Sequence, residues 1–314
     1  MTTRPAMPRL VVVGDLVTDV LAIHDGPIAV GSDTPARIRL TGGGSAANTA
    51  AWLAWAGAEV DLVAVIGTDR TGTHRLAELT AAGVGCGYVR RSPDAATGTV
   101  IVLAQVSERT MVTDRGANLL LEPSDVDTAI AAAAAQPTHL HLSGYTLLAD
   151  QSRPAGQHAL TEAARRGLTT SVDAASAAPL RAVGAAAFLD WVRGTDLLLA
   201  NVDEARMLVP DRTDPAECAE ALAAVARHAV VKLGPGGAVW AGPAGVVAAP
   251  AQPAAAVDPT GAGDAFAAGV LTTWLAGGDP ASALRAGVRF GARAVATAGG
   301  RPDLASVPPA LTAH

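Results

Sequence analysis

Short apolar segments alternate with alanine-rich segments along much of the chain, and this alternation restricts the fold more than any other feature. Each apolar segment has the length and composition of a buried strand, and the alanine-rich segments can form crossover helices. Such alternation predicts a doubly wound α/β fold, in which helices cover both faces of a mainly parallel sheet. The predicted strands span 10–13, 60–66, 139–142, 169–172, 196–200, 229–233 and 237–240.

Two other regions are β-like but contain no crossover helices. Residues 37–40 alternate polar and apolar side chains, and residues 99–113 include two runs of β-branched residues. Parallel strands need a connection of a dozen or more residues, so these segments do not fit into the same parallel sheet. We therefore predict a second, small sheet from about 20–40 and 85–115, within a single domain spanning 1–314.

The composition excludes several classes of protein. Half of the residues are hydrophobic but only 3% are aromatic, so the core must consist mainly of alanine, valine and leucine. The formal charge of −6 argues against a nucleic-acid partner or an anionic membrane surface. Cys86 and Cys218 lack the spacing of a disulfide framework or a zinc site. Since neither a signal-like nor a membrane-spanning segment occurs, we expect a cytoplasmic protein.

Three of the seven histidines, His139, His141 and His158, have no partners at metal-ligand spacing, and we expect these three to be structural. Lys232 is the only lysine of the chain, and it lies between Val231 and Leu233. A Walker-type phosphate loop requires Gly-Lys-Ser/Thr after a glycine loop, so this chain is not a P-loop kinase.

A glycine-rich turn at 260–263 precedes a helix predicted over 265–275. The two glycines let backbone N–H groups turn inward, and the N-terminus of the helix adds partial positive charge. Together they predict an anion site built from the main chain. Asp264 lies at the start of this helix, where it is either an N-cap or a base for phosphoryl transfer to an alcohol. The spacing alone leaves both readings open.

Residues 258–264, Asp-Pro-Thr-Gly-Ala-Gly-Asp, resemble the C-terminal signature of the ribokinase-like (phosphofructokinase-B type) kinases. Gly43, Gly44 and Asn48 match that family's N-terminal signature, a glycine pair followed by asparagine. Three weaker blocks occur in the family's order. They are Asp19, five residues after Gly14; Asn201 with Glu204; and the loop 232–237.

The resemblance implies a ribokinase-like fold in which the small sheet is a lid. In this family the lid covers the sugar and often pairs with the lid of another subunit, which leaves room for a homodimer here. The resemblance also implies an ATP-dependent kinase that uses Mg²⁺ and phosphorylates a hydroxymethyl group of a sugar or sugar-like alcohol. The expected partners are therefore small molecules rather than nucleic acid or membrane.

The family roles carry over residue by residue. Asp264 would take the proton of the hydroxyl group, while the N–H groups of Gly261, Ala262 and Gly263 would hold the developing charge. Asn48 would contact the acceptor. The full sets are Asp19, Gly43, Gly44, Asn48 and Arg115 for the acceptor; Asn201, Lys232, Gly234, Gly236 and Gly237 for the nucleotide; Glu204 for Mg²⁺ through water; and Asp258 and Thr260, beside the Gly299-Gly300 turn, for K⁺.

Simpler readings exist for several of these residues. Asp15 and Asp19 each fit a solvated loop acid. Asn201 with Glu204 fits a helix cap, and 232–237 fits a hairpin turn. Arg301 could take the place of the monovalent cation.

The acceptor is also open. A nucleoside kinase of the same fold is the main alternative, although aromatic residues suited to base stacking are scarce in the two lid regions, where Tyr88 is the example. The arginines of the lid regions leave room for an acidic acceptor; they are Arg37, Arg39, Arg109 and Arg115. A non-catalytic sugar- or nucleotide-binding regulator is a remote alternative, because the chain keeps both the base and the glycines of the anion site.

Overall fold

The computed structural model describes residues 9–104, 109–133 and 138–306. Within these ranges the larger sheet has nine strands in the order β13-β12-β11-β10-β9-β8-β1-β4-β5. Its strands are β1 (Arg9–Val13), β4 (Val60–Gly67), β5 (Gly85–Ser92), β8 (Thr138–Ser143), β9 (Thr169–Asp173), β10 (Leu197–Asn201), β11 (His228–Lys232), β12 (Ala238–Gly242) and β13 (Gly245–Ala249). The seven neighbouring strands β11-β10-β9-β8-β1-β4-β5 pair in parallel. Strand β12 pairs antiparallel with β11, and β13 pairs antiparallel with β12.

Helices cover both faces of this sheet, as the alternation predicts. The helices are α1 (Ser45–Trp55), α2 (Arg70–Ala81), α3 (Pro123–Ala133), α4 (Tyr145–Leu148), α5 (Arg153–Arg165), α6 (Ala177–Val183), α7 (Ala185–Trp191), α8 (Val202–Leu208), α9 (Pro215–Ala223), α10 (Ala262–Leu275) and α11 (Pro280–Val295). One core lies between the sheet and α3 and α5 to α9, and the other between the sheet and α1, α10 and α11. The doubly wound fold is therefore confirmed.

Small residues allow the helices of the second core to pack closely. Gly269 of α10 lies against the backbone of Ala286 in α11, and a Cβ atom on Gly269 would be 2.7 Å from that carbonyl oxygen. Trp52 and Phe290, both buried in the same core, lie with their ring centroids 5.9 Å apart. A core of this kind needs few aromatic residues, in agreement with the composition.

The second sheet has four strands in the order β3-β2-β6-β7. They are β2 (Val17–Ile23), β3 (Arg37–Gly43), β6 (Gly98–Ala104) and β7 (Arg109–Asp114). This small sheet, called the lid below, follows β1 directly and leads into α1, so it stands at the carboxyl ends of the core strands. Ligands bind at that edge in open α/β sheets.

One predicted boundary of the lid is wrong. Residues 85–92 were expected in the lid, but they form β5, which pairs in parallel with β4 at the edge of the nine-stranded sheet. The helix α2 supplies the crossover between these two strands, which is what parallel pairing requires. The sequence also predicts a hairpin-like turn at 107–109 between the two β-branched runs of 99–113, and this turn lies largely outside the described residues. No helix in the described parts of the chain is long and apolar enough to cross a membrane.

Candidate active site

The glycine-rich turn forms the N-terminus of α10. Gly261 is the N-cap and has a left-handed backbone with φ of 72°. A Cβ atom at this position would overlap the backbone of Gly300, so both the conformation and the close approach require glycine. The N–H groups of Ala262 and Gly263 follow in the first turn of the helix, where backbone donors have no partner within the helix, and that of Ala262 contacts the carbonyl oxygen of Pro259 at 3.3 Å. The glycine turn therefore leads into the N-terminus of a helix as predicted, and its role as an anion site stays a prediction.

Asp264 is the third residue of α10 rather than its N-cap. The N-cap reading is wrong because Gly261 takes that position. The carboxylate of Asp264 instead accepts hydrogen bonds from Ser45 Oγ at 2.8 Å and from Asn48 Nδ2 at 3.0 Å. Burial raises the pKa of Asp264 to about 7, although the hydrogen bond from Asn48 opposes the shift. A carboxylate with a pKa near neutrality, beside an anion site, can accept a proton from an alcohol.

Asp19 lies on β2 at the junction of lid and core, and it is 7% exposed. Its carboxylate occupies the space that a Cβ atom of Gly43 would need, so glycine at position 43 makes room for it. Burial raises the pKa of Asp19 to about 6, although the positive charge of Arg301 opposes the shift. Gly44 has φ of 98° and passes close to the backbone of Asp15. The structure thus brings the predicted acceptor residues together.

Asp15 is not the solvated loop acid that the sequence suggests. It is 5% exposed, and its carboxylate accepts hydrogen bonds from the N–H groups of Ser45 and Ala46, both at 3.2 Å. Arg115 reaches the same carboxylate at 3.4 Å, and its guanidinium lies 3.9 Å from the ring centroid of Tyr145. Asp15 therefore caps α1 from outside the helix and anchors Arg115 at the edge of the cleft.

Tyr145 is a cleft residue that the sequence analysis missed. It follows directly after the carboxyl end of β8, a position that could have identified it. Burial raises the pKa of Tyr145 to about 12, and the charge of Asp15 acts in the same direction. Its hydroxyl group therefore stays protonated near neutral pH and is a hydrogen-bond donor.

Arg301 also lies in the site, although it was considered only as a stand-in for a cation. Its guanidinium contacts Glu78 Oε2 at 3.1 Å, Asn48 Oδ1 at 3.4 Å and the carbonyl oxygen of Gly43 at 3.4 Å. It therefore links the turn after α11 to α2, α1 and β3, beside a cavity of about 300 Å³. Burial lowers the pKa of Arg301 to about 10, although the charge of Glu78 opposes the shift.

Asp258 joins the two turns that meet at the anion site. Its carboxylate oxygens accept the N–H groups of Thr260 and Gly299, each at 2.9 Å. The indole of Trp52 donates to the carbonyl oxygen of Gly300 at 3.0 Å. These bonds fix the position of the 299–300 turn against Gly261.

Asn201 and Glu204 form a capping box at the start of α8. The side chain of Asn201 accepts the N–H of Glu204 at 2.9 Å, and Glu204 accepts the N–H of Asn201 at 2.7 Å and its Nδ2 at 2.6 Å. Burial raises the pKa of Glu204 to about 7, while the charge of Lys232 opposes the shift. Asn201 and Glu204 therefore form the helix cap that the simpler reading describes. The Glu204 carboxylate also lies at the carboxyl end of β10.

Lys232 is the last residue of β11, just before the glycine loop. Its ammonium group contacts Asp173 Oδ2 at 2.5 Å. In the loop itself, Gly237 has φ of 93° and passes so close to the carbonyl oxygen of Ala249 that a Cβ atom would overlap it. Asp173 is a second residue that the sequence analysis missed, although it ends β9 at the functional edge of the sheet.

The histidines have structural contacts. His139 and His141 are fully buried and share the hydroxyl of Ser171, at 2.7 and 2.8 Å. His158 contacts Asp127 at 2.5 Å near the surface. Among the described residues, no group of three or more histidine, cysteine, aspartate or glutamate side chains could hold a metal ion by itself.

The cleft therefore has two sides that meet at α10. The acceptor side contains Asp19, Gly43 and Asn48, and the other side contains Asn201, Glu204 and Lys232. Asp264 and the first N–H groups of α10 lie between them. An acceptor hydroxyl on one side and a phosphoryl group on the other would meet at a base and an anion site, the arrangement that phosphoryl transfer requires.

Comparisons with known proteins agree with this geometry. A family model described as "pfkB family carbohydrate kinase" matches residues 7–306. The chain is 31% identical over 311 residues to the 2-dehydro-3-deoxygluconokinase of Thermoproteus tenax, with 96% of this chain and 92% of that protein covered. It is also 31% identical over 300 residues to the ATP-dependent ribose-1-phosphate kinase of Halopiger xanaduensis, with 94% of each covered.

Solved structures show the same fold. A probable sugar kinase from Rhizobium etli has a TM-score of 0.84 at 23% identity, with 95% of this chain and 96% of that chain covered. An adenosine kinase from Sinorhizobium meliloti has a TM-score of 0.84 at 25% identity with the same coverage. The chain therefore belongs to the pfkB family of carbohydrate kinases, and the predicted activity, that of an ATP-dependent carbohydrate kinase, is confirmed.

Proposed function

We propose that this kinase transfers the γ-phosphoryl group of ATP to a hydroxymethyl group of a sugar or sugar acid, with Asp264 as the general base. The observation that carries the proposal is the position of the Asp264 carboxylate. It is held by Ser45 and Asn48 directly behind the N–H groups of Gly261 to Gly263. A hydroxyl oxygen that loses its proton to Asp264 would lie next to the site that holds the transferred group.

The acceptor side would orient the sugar. Asp19 would accept hydrogen bonds from the hydroxyl groups of the sugar, and Asn48 would donate to them. The sugar could approach the backbone at Gly43 and Gly44 closely because no Cβ atom intervenes. The buried carboxylate of Asp19 would accept a hydrogen bond from a sugar hydroxyl, and that bond would offset part of the cost of burying its charge.

Mg²⁺ would be held through water by Glu204 and Asn201. Magnesium prefers oxygen ligands and keeps several waters, so a single buried carboxylate with an adjacent amide fits it better than a cage of carboxylates. When bound, the ion neutralises charge on the phosphate oxygens. The loop glycines Gly234, Gly236 and Gly237 would let the backbone approach the nucleotide.

A monovalent cation near Asp258 and Thr260 is a further part of the proposal. Its support is that Asp258 already joins the two turns that shape the anion site, so an ion there would stiffen Gly261. Activity measured with potassium titrated into a potassium-free buffer at fixed ionic strength tests this. A flat response removes the cation from the proposal.

The acceptor is proposed to be acidic, because two relatives are named for a sugar acid and for a sugar phosphate and because Arg115 lies in the cleft. A nucleoside is the second candidate, and the shared fold with the adenosine kinase of Sinorhizobium meliloti favours it. Initial rates on a panel of neutral sugars, aldonic and keto-deoxy acids, sugar phosphates and nucleosides decide between them. Turnover of nucleosides alone would replace the sugar proposal.

The lid is proposed to close over the acceptor and to pair with the lid of a second copy in the cytoplasm. Its support is a set of exposed apolar side chains on the lid strands: Ile38, Leu40, Ile101, Met111 and Val112. Sedimentation velocity of the wild type and of Leu40→Asp tests the dimer, and a monomeric wild type at micromolar concentration would contradict it.

The base assignment is tested with Asp264→Asn. We expect kcat to fall by about 10²–10⁴ while ATP binding persists, because only proton transfer is lost. In the wild type, kcat should rise with pH through about 7, since a base must be ionised and burial raises its pKa to that value. Ser45→Ala, which removes a hydrogen bond but leaves the base, is the matched control and should lose much less activity. Near wild-type turnover by Asp264→Asn would refute the proposal.

A further inference from the structure

Lys232, in the active site, is the only lysine of the chain. The other 22 of its 23 lysine and arginine residues are arginine. Lys232 ends β11, at the edge of the sheet where α10 begins. Arginine and lysine differ in function: arginine forms planar, two-pronged contacts, whereas lysine places a compact charge with three rotatable donors. A chain that otherwise uses arginine throughout therefore has a specific requirement at this position.

The ammonium group of Lys232 points into the anion site. A Cβ atom built on Gly263 would be 3.3 Å from Nζ, so the charge lies beside the last N–H group of the glycine turn. Asp173 holds Nζ at 2.5 Å, and the two side chains are only 12% and 8% exposed. Asp173 comes from β9 and Lys232 from β11, on either side of β10, so the pair is fixed by neighbouring strands of the core sheet.

Three carboxylates surround this one ammonium group: Asp173, Glu204 and Asp264. Burial alone would lower the pKa of Lys232, but the charges of Asp173 and Glu204 outweigh burial and raise it above its usual value. Lys232 is therefore charged at neutral pH. The same cluster is rich in negative charge, and an incoming phosphate would be repelled if Lys232 were absent.

We propose that Lys232 is a catalytic residue that contacts the transferred phosphoryl group in the anion site, and that Asp173 is the positioning residue that holds its ammonium group there. The inference rests on the proposed function and deepens it, because it moves Lys232 from the nucleotide loop to the reacting group. The bond between the γ-phosphorus and the bridging oxygen of ATP breaks, and a bond to the acceptor oxygen forms. The hydroxyl proton goes to Asp264, while Lys232 keeps its proton and stabilises charge on the phosphoryl oxygens.

The competing explanation is that Lys232 and Asp173 form only a buried structural ion pair. In that case, removing one partner leaves an unpaired buried charge and harms the fold, whereas removing both restores it. The two explanations therefore make opposite predictions for the double variant, which we use as the main test.

The experiment compares Lys232→Met, Asp173→Asn and the double variant Lys232→Met/Asp173→Asn. We expect Lys232→Met to lower kcat by about 10²–10³, with the KM for ATP changed much less, since the charge acts mainly on the transferred group. Asp173→Asn should lower kcat by about tenfold, because the ammonium group remains but is less well placed. The double variant should regain thermal stability relative to Lys232→Met yet stay as inactive. Recovery of kcat in the double variant would overturn the proposal.

A spectroscopic readout independent of turnover is available because the chain has a single lysine. Protein grown with lysine labelled with ¹³C at Cε gives one side-chain signal, without assignment. We expect this signal to shift on addition of a non-hydrolysable ATP analogue that retains the γ-phosphate, and to shift much less with ADP. Equal spectra with the two nucleotides would contradict a contact with the transferred group.

The two proposals fail in different ways. If Asp264→Asn retains full turnover, the base assignment fails, but the lysine signal still reports whether Lys232 contacts the γ-phosphate. If Asp264→Asn is inactive and the lysine signal does not respond, the proposed function stands and only the role of Lys232 is refuted.

Discussion

In this kinase an inner strand of the core sheet and the edge strand of the lid are buried to very different degrees. All eight residues of β4 in the core sheet are buried, whereas the first four residues of β3 in the lid are exposed. The groups that would act on phosphate are attached to the core, at α10 and at the ends of β10 and β11. Asp19 and Gly43, which would bind the acceptor, lie on lid strands. On the proposed roles, the core would fix the geometry of transfer, whereas acceptor binding would depend on the position of the lid.

The largest expected effect is on the core side, from Gly261→Ala. The new Cβ atom would overlap the backbone of Gly300, and the residue has φ of 72°, so the turn must move and its N–H groups lose their alignment. We expect kcat to fall by at least about 10² with little change in the KM for the acceptor.

The matched control for that variant is Gly277→Ala. Gly277 has φ of 87° at the end of α10, but no atom lies within 4 Å of its added Cβ. Alanine at position 277 would have a similar backbone strain but no clash with a neighbouring atom, so the Gly277→Ala enzyme should retain its kcat. Equal losses in the two variants would mean that strain, and not the anion site, explains the result.

A smaller effect is expected on the lid side, from Asp19→Ala. Loss of its hydrogen bonds should raise the KM for the acceptor by about tenfold to a hundredfold and leave ATP binding nearly intact. In the wild type the KM should also rise as pH falls below about 6, because burial raises the pKa of Asp19 to that value and protonation removes its charge. The exposed Asp25→Ala, in the loop after β2, is the control. If Asp19→Ala weakened the binding of the acceptor and of ATP equally, the proposed division between the lid side and the core side would be contradicted.

The smallest expected effect concerns motion of the lid. We expect amide hydrogens in β3 and β6 to exchange faster than those in β4, because most residues of these two lid strands are exposed or only partly buried. Addition of an acceptor with a non-hydrolysable ATP analogue should slow exchange in the lid and leave β4 unchanged. Hydrogen exchange measured by mass spectrometry checks this, and equal protection of the lid with and without ligands would contradict a closing lid.

The sequence predicts the core better than the lid, for a physical reason. Buried parallel strands have continuous apolar runs with helices between them, and both signals are local. The sequence around 85–92 shows a strand but not which sheet receives it, because β5 has α2 before it and no helix after it. Its pairing with β4 depends on contacts that no local pattern records.

The candidate site divides in the same way. The glycine turn and Asp264 were predictable because seven consecutive residues define them. Asp173 and Arg301 were not, because their partners are distant in sequence: Lys232 is 59 residues from Asp173, and Asn48 is 253 residues from Arg301. The N-cap reading of Asp264 failed for a smaller reason, since α10 begins three residues earlier than predicted, at Ala262.

The turn at 299–301 has a consequence for the order in which the enzyme becomes active during synthesis. Gly300 packs against Gly261 and accepts the indole N–H of Trp52, and Arg301 reaches Asn48 and the lid strand β3. A ribosome makes this turn after the base, the anion site and the lid, so a nascent chain that already carries all of these lacks the segment that holds them together. Chains stalled before residue 299 should therefore lack the contacts that hold the anion site against α1 and the lid, and so should be less active than the finished protein.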